Sequence, residues 1–493
     1  MIMAVMQKWV MKGIIVKKLG KNYIYNTLYQ LLMILMPLVT TPYAARVLGP
    51  EKLGIYSFTG ANVNYFILLA NIGFSLYGQK IIASLQDDFK KRSQAFWNIV
   101  IAKCLVASVA LVIFIITNAF FFSEYQDIYW IQAIGIASVF IDISWFFMGL
   151  ENFRITVIRN LIVKVSFVIL LFLFVKSPDN LPLYVFIIVA GNFFGNITLW
   201  FQLKSYINKP KLFQIKISDV IRNATVLFIP TVAINMYVTL NKTMIGLLDS
   251  KINVGFFVQS DTVIKLVLAV VTSLGTVMMP HMTKLISDGK QKTANELIYK
   301  SFSAMTLLAM PIMIGMIIIS GRFTSIFYGH GFEPVGTLLA IESVSVLLIA
   351  WSNVLGVQYL VPRGKLTHYS SSVTIGAVFN IIINPILLIH YGVNGSMWAM
   401  VMTELIVFSV QLYFTKKDLL WKKIFLDLPK YVCATLGMLL ILSLFNYWVH
   451  VPQDILFILY NIIIGTMTYT VFVFVFKPTV LKDVINLIKR RSL

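Results

Sequence analysis

Charged side chains are scarce in this chain. Asp, Glu, Lys and Arg make up 12% of the 493 residues, against roughly 25% in a soluble protein, so most of the surface cannot be built to face water. Cysteine is nearly absent. Cys104 and Cys433 both fall inside apolar runs, which excludes a disulfide framework or a thiolate metal site and leaves them as small buried residues. The five histidines, His281, His330, His368, His390 and His450, are not paired at zinc spacing. A Walker-type phosphate loop and a nucleophile elbow are missing too. ATP hydrolysis and enzymatic chemistry are therefore not expected, and no cofactor is implied. A signal peptide is not expected at the N-terminus, because Lys8 and Lys12 cut its apolar stretch short.

What the chain has in abundance is long apolar runs. The composition is 58% hydrophobic, with a mean hydropathy of +0.83, and a span of the hydrocarbon core needs about 20 such residues. Fourteen membrane helices are predicted, at 22–45, 54–82, 94–118, 127–149, 156–176, 181–203, 222–248, 254–283, 294–320, 333–360, 366–390, 394–415, 429–449 and 454–476. The net charge of +21 is a topology signal. Assigned alternately to the two sides, 33 Lys and Arg fall on one and five on the other, namely Arg46, Lys52, Lys176, Lys251 and Arg322. The basic side is cytoplasmic by the positive-inside rule, which puts both termini there.

A shift of 201 residues lays Lys21-Asn22 on Arg222-Asn223 and Gly54-Ile55-Tyr56 on Gly255-Phe256-Phe257. Six spans lie between equivalent points, so the repeat is parallel, about an axis along the membrane normal. The expected organisation is a basic interfacial segment (1–21), an N-lobe of six spans (22–203), a cytoplasmic linker (204–221), a C-lobe of six spans (222–415), a cytoplasmic loop (416–428), two added spans (429–476) and a basic tail (477–493). Pro37, Pro42 and Pro230 interrupt the first and seventh spans and are candidate hinges.

Polar residues recur at helical spacing inside the spans: Asn26, Gln30, Pro37 and Thr41; Ser57, Asn64, Asn71 and Ser75; Gly376, Asn380 and Asn384. Full charges carry more information, since one at the bilayer centre costs about 2.5–3.5 kcal/mol on insertion scales. These are Lys103, Asp142, Lys242, Asp261, Lys265, Glu342 and Glu404. Asp261 and Lys265, four apart, are an ion pair or a site. Asp142, Asp261, Glu342 and Glu404 are candidates for coupling to H+ or Na+.

The stretches NYIYNTLYQLLMILMPLVTTPYAARVLGPEKLGIYSF, LNKTMIGLL, SLGTVMMPHMTKL and NVLGVQYLVPRGK with GAVFNIIINPILLIHYGVNGSMWAMVMTE together resemble the polysaccharide-biosynthesis flippases, the Wzx-type transporters. These share a superfamily with the multidrug and toxin extruders and the lipid II flippases. The resemblance implies a V-shaped two-lobe fold and, as substrate, an undecaprenyl-diphosphate-linked oligosaccharide of a capsule, O-antigen or similar glycan. Such a chain is a monomeric multi-pass protein of the bacterial cytoplasmic membrane, working beside glycosyltransferases and a glycan polymerase. On that reading Arg46, Lys242, Lys265 and Lys103 contact the diphosphate, unless Arg46 pairs with Glu51. Asn26, Gln30, Asn64, Asn71, Asn235 and Asn380 contact sugar in the cleft. Asn241 stands where many relatives have Asp, and His281 where Arg is common, which makes pH sensitivity at the inner gate an expectation. A cation-coupled multidrug exporter of the same fold is the alternative, and a membrane glycan polymerase a more distant one.

Overall fold

A computed structural model describes residues 2–208 and 217–482, with side chains described outside 2–34, 227–236, 276 and 277. Among the described residues there is helix and no strand. Two compact units divide the chain, Met1–Val232 and Ala233–Leu493.

In the first unit, α1 (Ile2–Asn71) is two helices end to end, parted at Gly49, where φ is 77° and ψ 170°. That backbone region is nearly closed to any residue with a Cβ. Pro37 and Pro42 keep helical geometry, so the interruption falls at Gly49 and not at the predicted proline hinges. The predicted second span is also broken, at Gly73 (φ 76°), before α2 (Phe74–Ser84). α3 (Phe89–Phe121) opens on Asp88, whose side chain accepts from the Lys91 amide and so satisfies a free helix-end donor. The fourth predicted span divides into α4 (Gln126–Ile141) and α5 (Ser144–Gly149), followed by α6 (Phe153–Phe174) and α7 (Leu181–Phe201). Phe74, Phe96, Trp145, Phe146 and Leu199 belong to a buried, largely aromatic core. Gly78 and Gly149 let α2 and α5 cross closely: a Cβ on Gly78 would lie 2.4 Å from the Trp145 ring.

The boundary between units falls inside α8 (Ile217–Leu248). The second unit continues with α9 (Lys251–Ser287), α10 (Gln291–Tyr328) and α11 (Glu333–Ser352), which runs into a π-helical turn at Asn353–Leu360. α12 (Leu366–Thr415) is again two helices, parted at Gly392 (φ 60°, ψ −151°). A short α13 (Trp421–Ile424) leads to α14 (Leu428–Trp448) and α15 (Asp454–Phe476). The last two pack on α10 around Ala434, Met438, Leu442 and Tyr469, and the Tyr469 hydroxyl donates to the Leu307 carbonyl at 3.1 Å. Cys433 on α14 is exposed and Cys104 half-buried, so only the latter approaches the expected core position.

Eleven continuous helical stretches among the described residues are long and apolar enough to cross a membrane. Two of these, Leu35–Ser84 and Leu366–Thr415, contain the breaks at Gly49 and Gly392. With α8, every one of the fourteen predicted spans has a helical counterpart. The helix break at Gly49 and the cap at Ser250, which accepts from the Asn253 amide at 3.3 Å, stand 201 residues apart.

Candidate functional site

The second unit gathers most of the intramembrane charge. α9 carries Asp261, 3% exposed, and Lys265 one turn on, and the lysine ammonium donates to Asp261 Oδ2 at 2.5 Å. The carboxylate is buried while 57% of the Lys265 side chain is exposed. One end of the pair is thus fixed and the other presented. Lys242, half-buried on α8, lies within electrostatic reach of both Asp261 and Lys265. Glu342 on α11, 1% exposed, feels the same pair and accepts from the Ser260 hydroxyl at 2.6 Å. Its Oε1 has no hydrogen-bond partner among the described residues.

A second polar group lies along α8 and α12. Glu404 Oε1 accepts from the Tyr237 hydroxyl at 3.3 Å. Asn384 donates to Asn241 Oδ1 at 2.9 Å, and Asn380 donates to the Thr403 hydroxyl at 2.9 Å. All except Tyr237, whose exposure is intermediate, are buried. Asn380 Oδ1 and Asn384 Oδ1 accept nothing from the described residues. Asn241 Nδ2 likewise has no partner among the described residues, so this group holds both open acceptors and an open donor. Sequence reading named Asp261, Lys265, Lys242, Glu342, Glu404 and Asn380, and the structure brings these into one unit. It missed Tyr237 and Ser260. Tyr237 and Asn241 stand four apart on α8, a spacing that could have revealed the shared face.

The first unit disposes of its charges differently. Lys103 on α3 is 1% exposed; its ammonium donates to the Asp142 carbonyl at 2.8 Å and lies 3.5 Å from Asp142 Oδ2. Asp142 Oδ1 accepts from the Ser144 amide, and its carbonyl from the Trp145 indole at 3.2 Å. The pair therefore secures the break between α4 and α5. Lys103 is closed to a diphosphate, and Asp142 is committed to it; the roles expected for them do not fit this placement. Arg46 is exposed, one turn before the break at Gly49, and has interaction partners of its own. Asn71 is half-buried and accepts from the Ser75 hydroxyl at 3.2 Å, and Asn64 is half-buried. Asn26, Gln30, Pro230 and Asn235 lie outside the residues whose side chains are described. His281 is exposed on α9. Among the described residues no cluster of His, Cys, Asp and Glu could hold a metal ion.

Helices of this number, length and apolarity define a multi-pass membrane protein. The fold is shared with solved structures of the lipid II flippase MurJ in an inward closed conformation (TM-score 0.77, 16% identity, 94% of this chain and 99% of that chain covered). An inward-facing multidrug resistance MATE family transporter of the MOP superfamily shares it as well (TM-score 0.59, 12% identity, 80% and 97% covered). In sequence, the chain is 25% identical over 405 residues to a protein named as an O-antigen transporter of Escherichia coli (strain K12), covering 81% of this chain and 97% of that one. One of the same name from Shigella dysenteriae is 24% identical over 377 residues, covering 76% and 94%. The family described as polysaccharide biosynthesis protein matches residues 19–286, more than half of the chain, which belongs to that family.

Proposed function

We propose that the protein is a flippase for undecaprenyl-diphosphate-linked oligosaccharide, carrying repeat units of a capsule, O-antigen or similar glycan from the inner to the outer leaflet of the bacterial cytoplasmic membrane by alternating access. The observation that carries this reading is the Lys242–Asp261–Lys265 cluster, set at membrane depth in a member of this family. A diphosphate is anionic, and in a low-dielectric site lysines hold it by charge-assisted hydrogen bonds. Asp261 keeps Lys265 in place, and the arriving diphosphate takes over as counter-ion. Arg46 remains a candidate for the outer end of the path, and Asn64, Asn71 and Asn380 for sugar.

Glu342 and Glu404 are the proposed acceptors of a coupling ion, H+ or Na+. Their support is burial together with the open acceptor on Glu342 and those on Asn380 and Asn384 nearby on α12. Both termini lie in the cytoplasm on this reading, the protein acts as a monomer, and glycosyltransferases and a polymerase work upstream and downstream of it. Deletion is expected to abolish surface glycan and leave lipid-linked units on the inner leaflet, with drug sensitivity unchanged. Wild-type protein restores the glycan, and Lys242→Ala with Lys265→Ala does not. Restoration by that double variant would remove the lysines from the mechanism.

A further inference from the structure

We infer that a groove between α6 and α7 of the first unit binds the phosphate headgroup of an anionic glycerophospholipid. The groove encloses about 670 Å³ and is lined by two guanidinium groups, Arg154 and Arg159; no carboxylate is among its described lining residues, although Asp142 behind the wall lies within electrostatic reach of Arg159. Arg154 is exposed on the second residue of α6, whereas Arg159 sits six residues in from Phe153, about 9 Å along the axis at 1.5 Å per residue. Its guanidinium is held in a built setting. Nη2 donates to Asn196 Oδ1 and Nη1 to Asn160 Oδ1 at 2.6 Å. Asn196, only 7% exposed, is fixed in turn by donating to the Ser138 hydroxyl at 2.8 Å.

The shape comes from α7. It presents Gly191 and Gly195 to the groove, and a Cβ at Gly195 would stand 2.5 Å from Val163 Cγ2 and 3.2 Å from Arg159 Cδ. The space therefore depends on glycine at that position. Beyond the arginines the wall is largely apolar, Ser166 and Thr198 apart, with Ile162 58% and Phe194 61% exposed, and the neighbouring outward residues Leu161, Val165 and Ile169 are apolar and exposed as well. The outward face is the surface of a helix against acyl chains. A cationic end continuous with an apolar wall complements one negative phosphate carrying a hydrocarbon tail. At the same end Asn152 donates to the Tyr206 hydroxyl at 3.1 Å, giving a polar rim. This assignment does not rest on the proposed substrate.

The test is native mass spectrometry of the delipidated full-length protein, titrated with phosphatidylglycerol or with phosphatidylcholine of the same chains. One phosphatidylglycerol is expected to bind with about tenfold preference, the size of one charge-assisted contact. Arg154→Gln, and Ile162→Trp filling the groove from an exposed position, should each abolish the preference without altering elution or helix content. Equal binding of the two lipids, or an undiminished preference in both variants, overturns the assignment. So does displacement of phosphatidylglycerol by equimolar polyprenyl phosphate, which would make the groove a waypoint for substrate.

Discussion

Lys103 and Asp142 were both readable as lone charges inside spans, and neither sequence position hints at the other, 39 residues away. Their pairing resolves the cost of each. Removing one partner of such a pair leaves a buried charge uncompensated, at about 3–5 kcal/mol. Lys103→Met is therefore expected to lower the thermal unfolding temperature of the purified protein sharply, and adding Asp142→Asn should recover part of the loss. Equal stability of Lys103→Met and wild type would refute the structural role. Glu342 and Glu404 were legible as buried carboxylates, while their partners Ser260 and Tyr237, 82 and 167 residues distant, were not, because contacts between helices leave no periodic trace in one strand of text. At the membrane surface, Asp418 accepts from Lys365 Nζ at 2.5 Å and from the Tyr359 hydroxyl at 2.8 Å. These bonds, that from Lys365 first, hold its carboxyl below the ordinary value. A folded value lower than the unfolded one, near 3.9, contributes stability that is present above that pH and lost as pH falls through the folded value. Unfolding curves taken from pH 7 to pH 3 should show wild type losing more stability in acid than Asp418→Asn.

At the scale of elements, existence and order of the helices were written in the apolar runs. Their interruptions were not. Prolines drew attention to residues 37 and 42, yet a helix tolerates proline where neighbouring groups take up the freed carbonyl, and membrane helices do so often. The chain instead changes direction at glycines in conformations closed to other residues, Gly49 and Gly392, and at Asp142, where a side chain and a buried lysine replace the lost backbone bonds. The π-helical turn at Asn353–Leu360 leaves the hydrophobic pattern unchanged and so escaped notice; there Ser301 donates to Gln358 Oε1 at 2.6 Å. Gly49→Ala meets no steric obstacle within 4 Å, so its cost is that of backbone strain alone, about 1–3 kcal/mol. Gly321→Ala, in the helical interior of α10 with open space around it, should be neutral or stabilising by up to about 1 kcal/mol. Thermal shifts of the same sign and size for the two variants would contradict this account of the break.

For the whole molecule, the 33-to-five division of basic residues fixes the expected sidedness. Reporter fusions at the C-terminus should be active in the cytoplasm, and cysteines introduced at Lys176 or Lys251 should react with impermeant reagents from outside; the reverse pattern would invert the topology. The proposed anionic, lipid-linked cargo rests on the family and on the Lys242–Asp261–Lys265 group. The direct measurement is movement of a fluorescent polyprenyl-diphosphate-linked oligosaccharide across proteoliposomes containing the purified protein. Wild type should expose the glycan to an external lectin or reductant, with the initial rate falling at least about tenfold, or 1.4 kcal/mol in the barrier, in folded Lys242→Ala with Lys265→Ala. An unchanged rate in that variant, or no movement by wild type with or without an imposed H+ or Na+ gradient, would contradict the account.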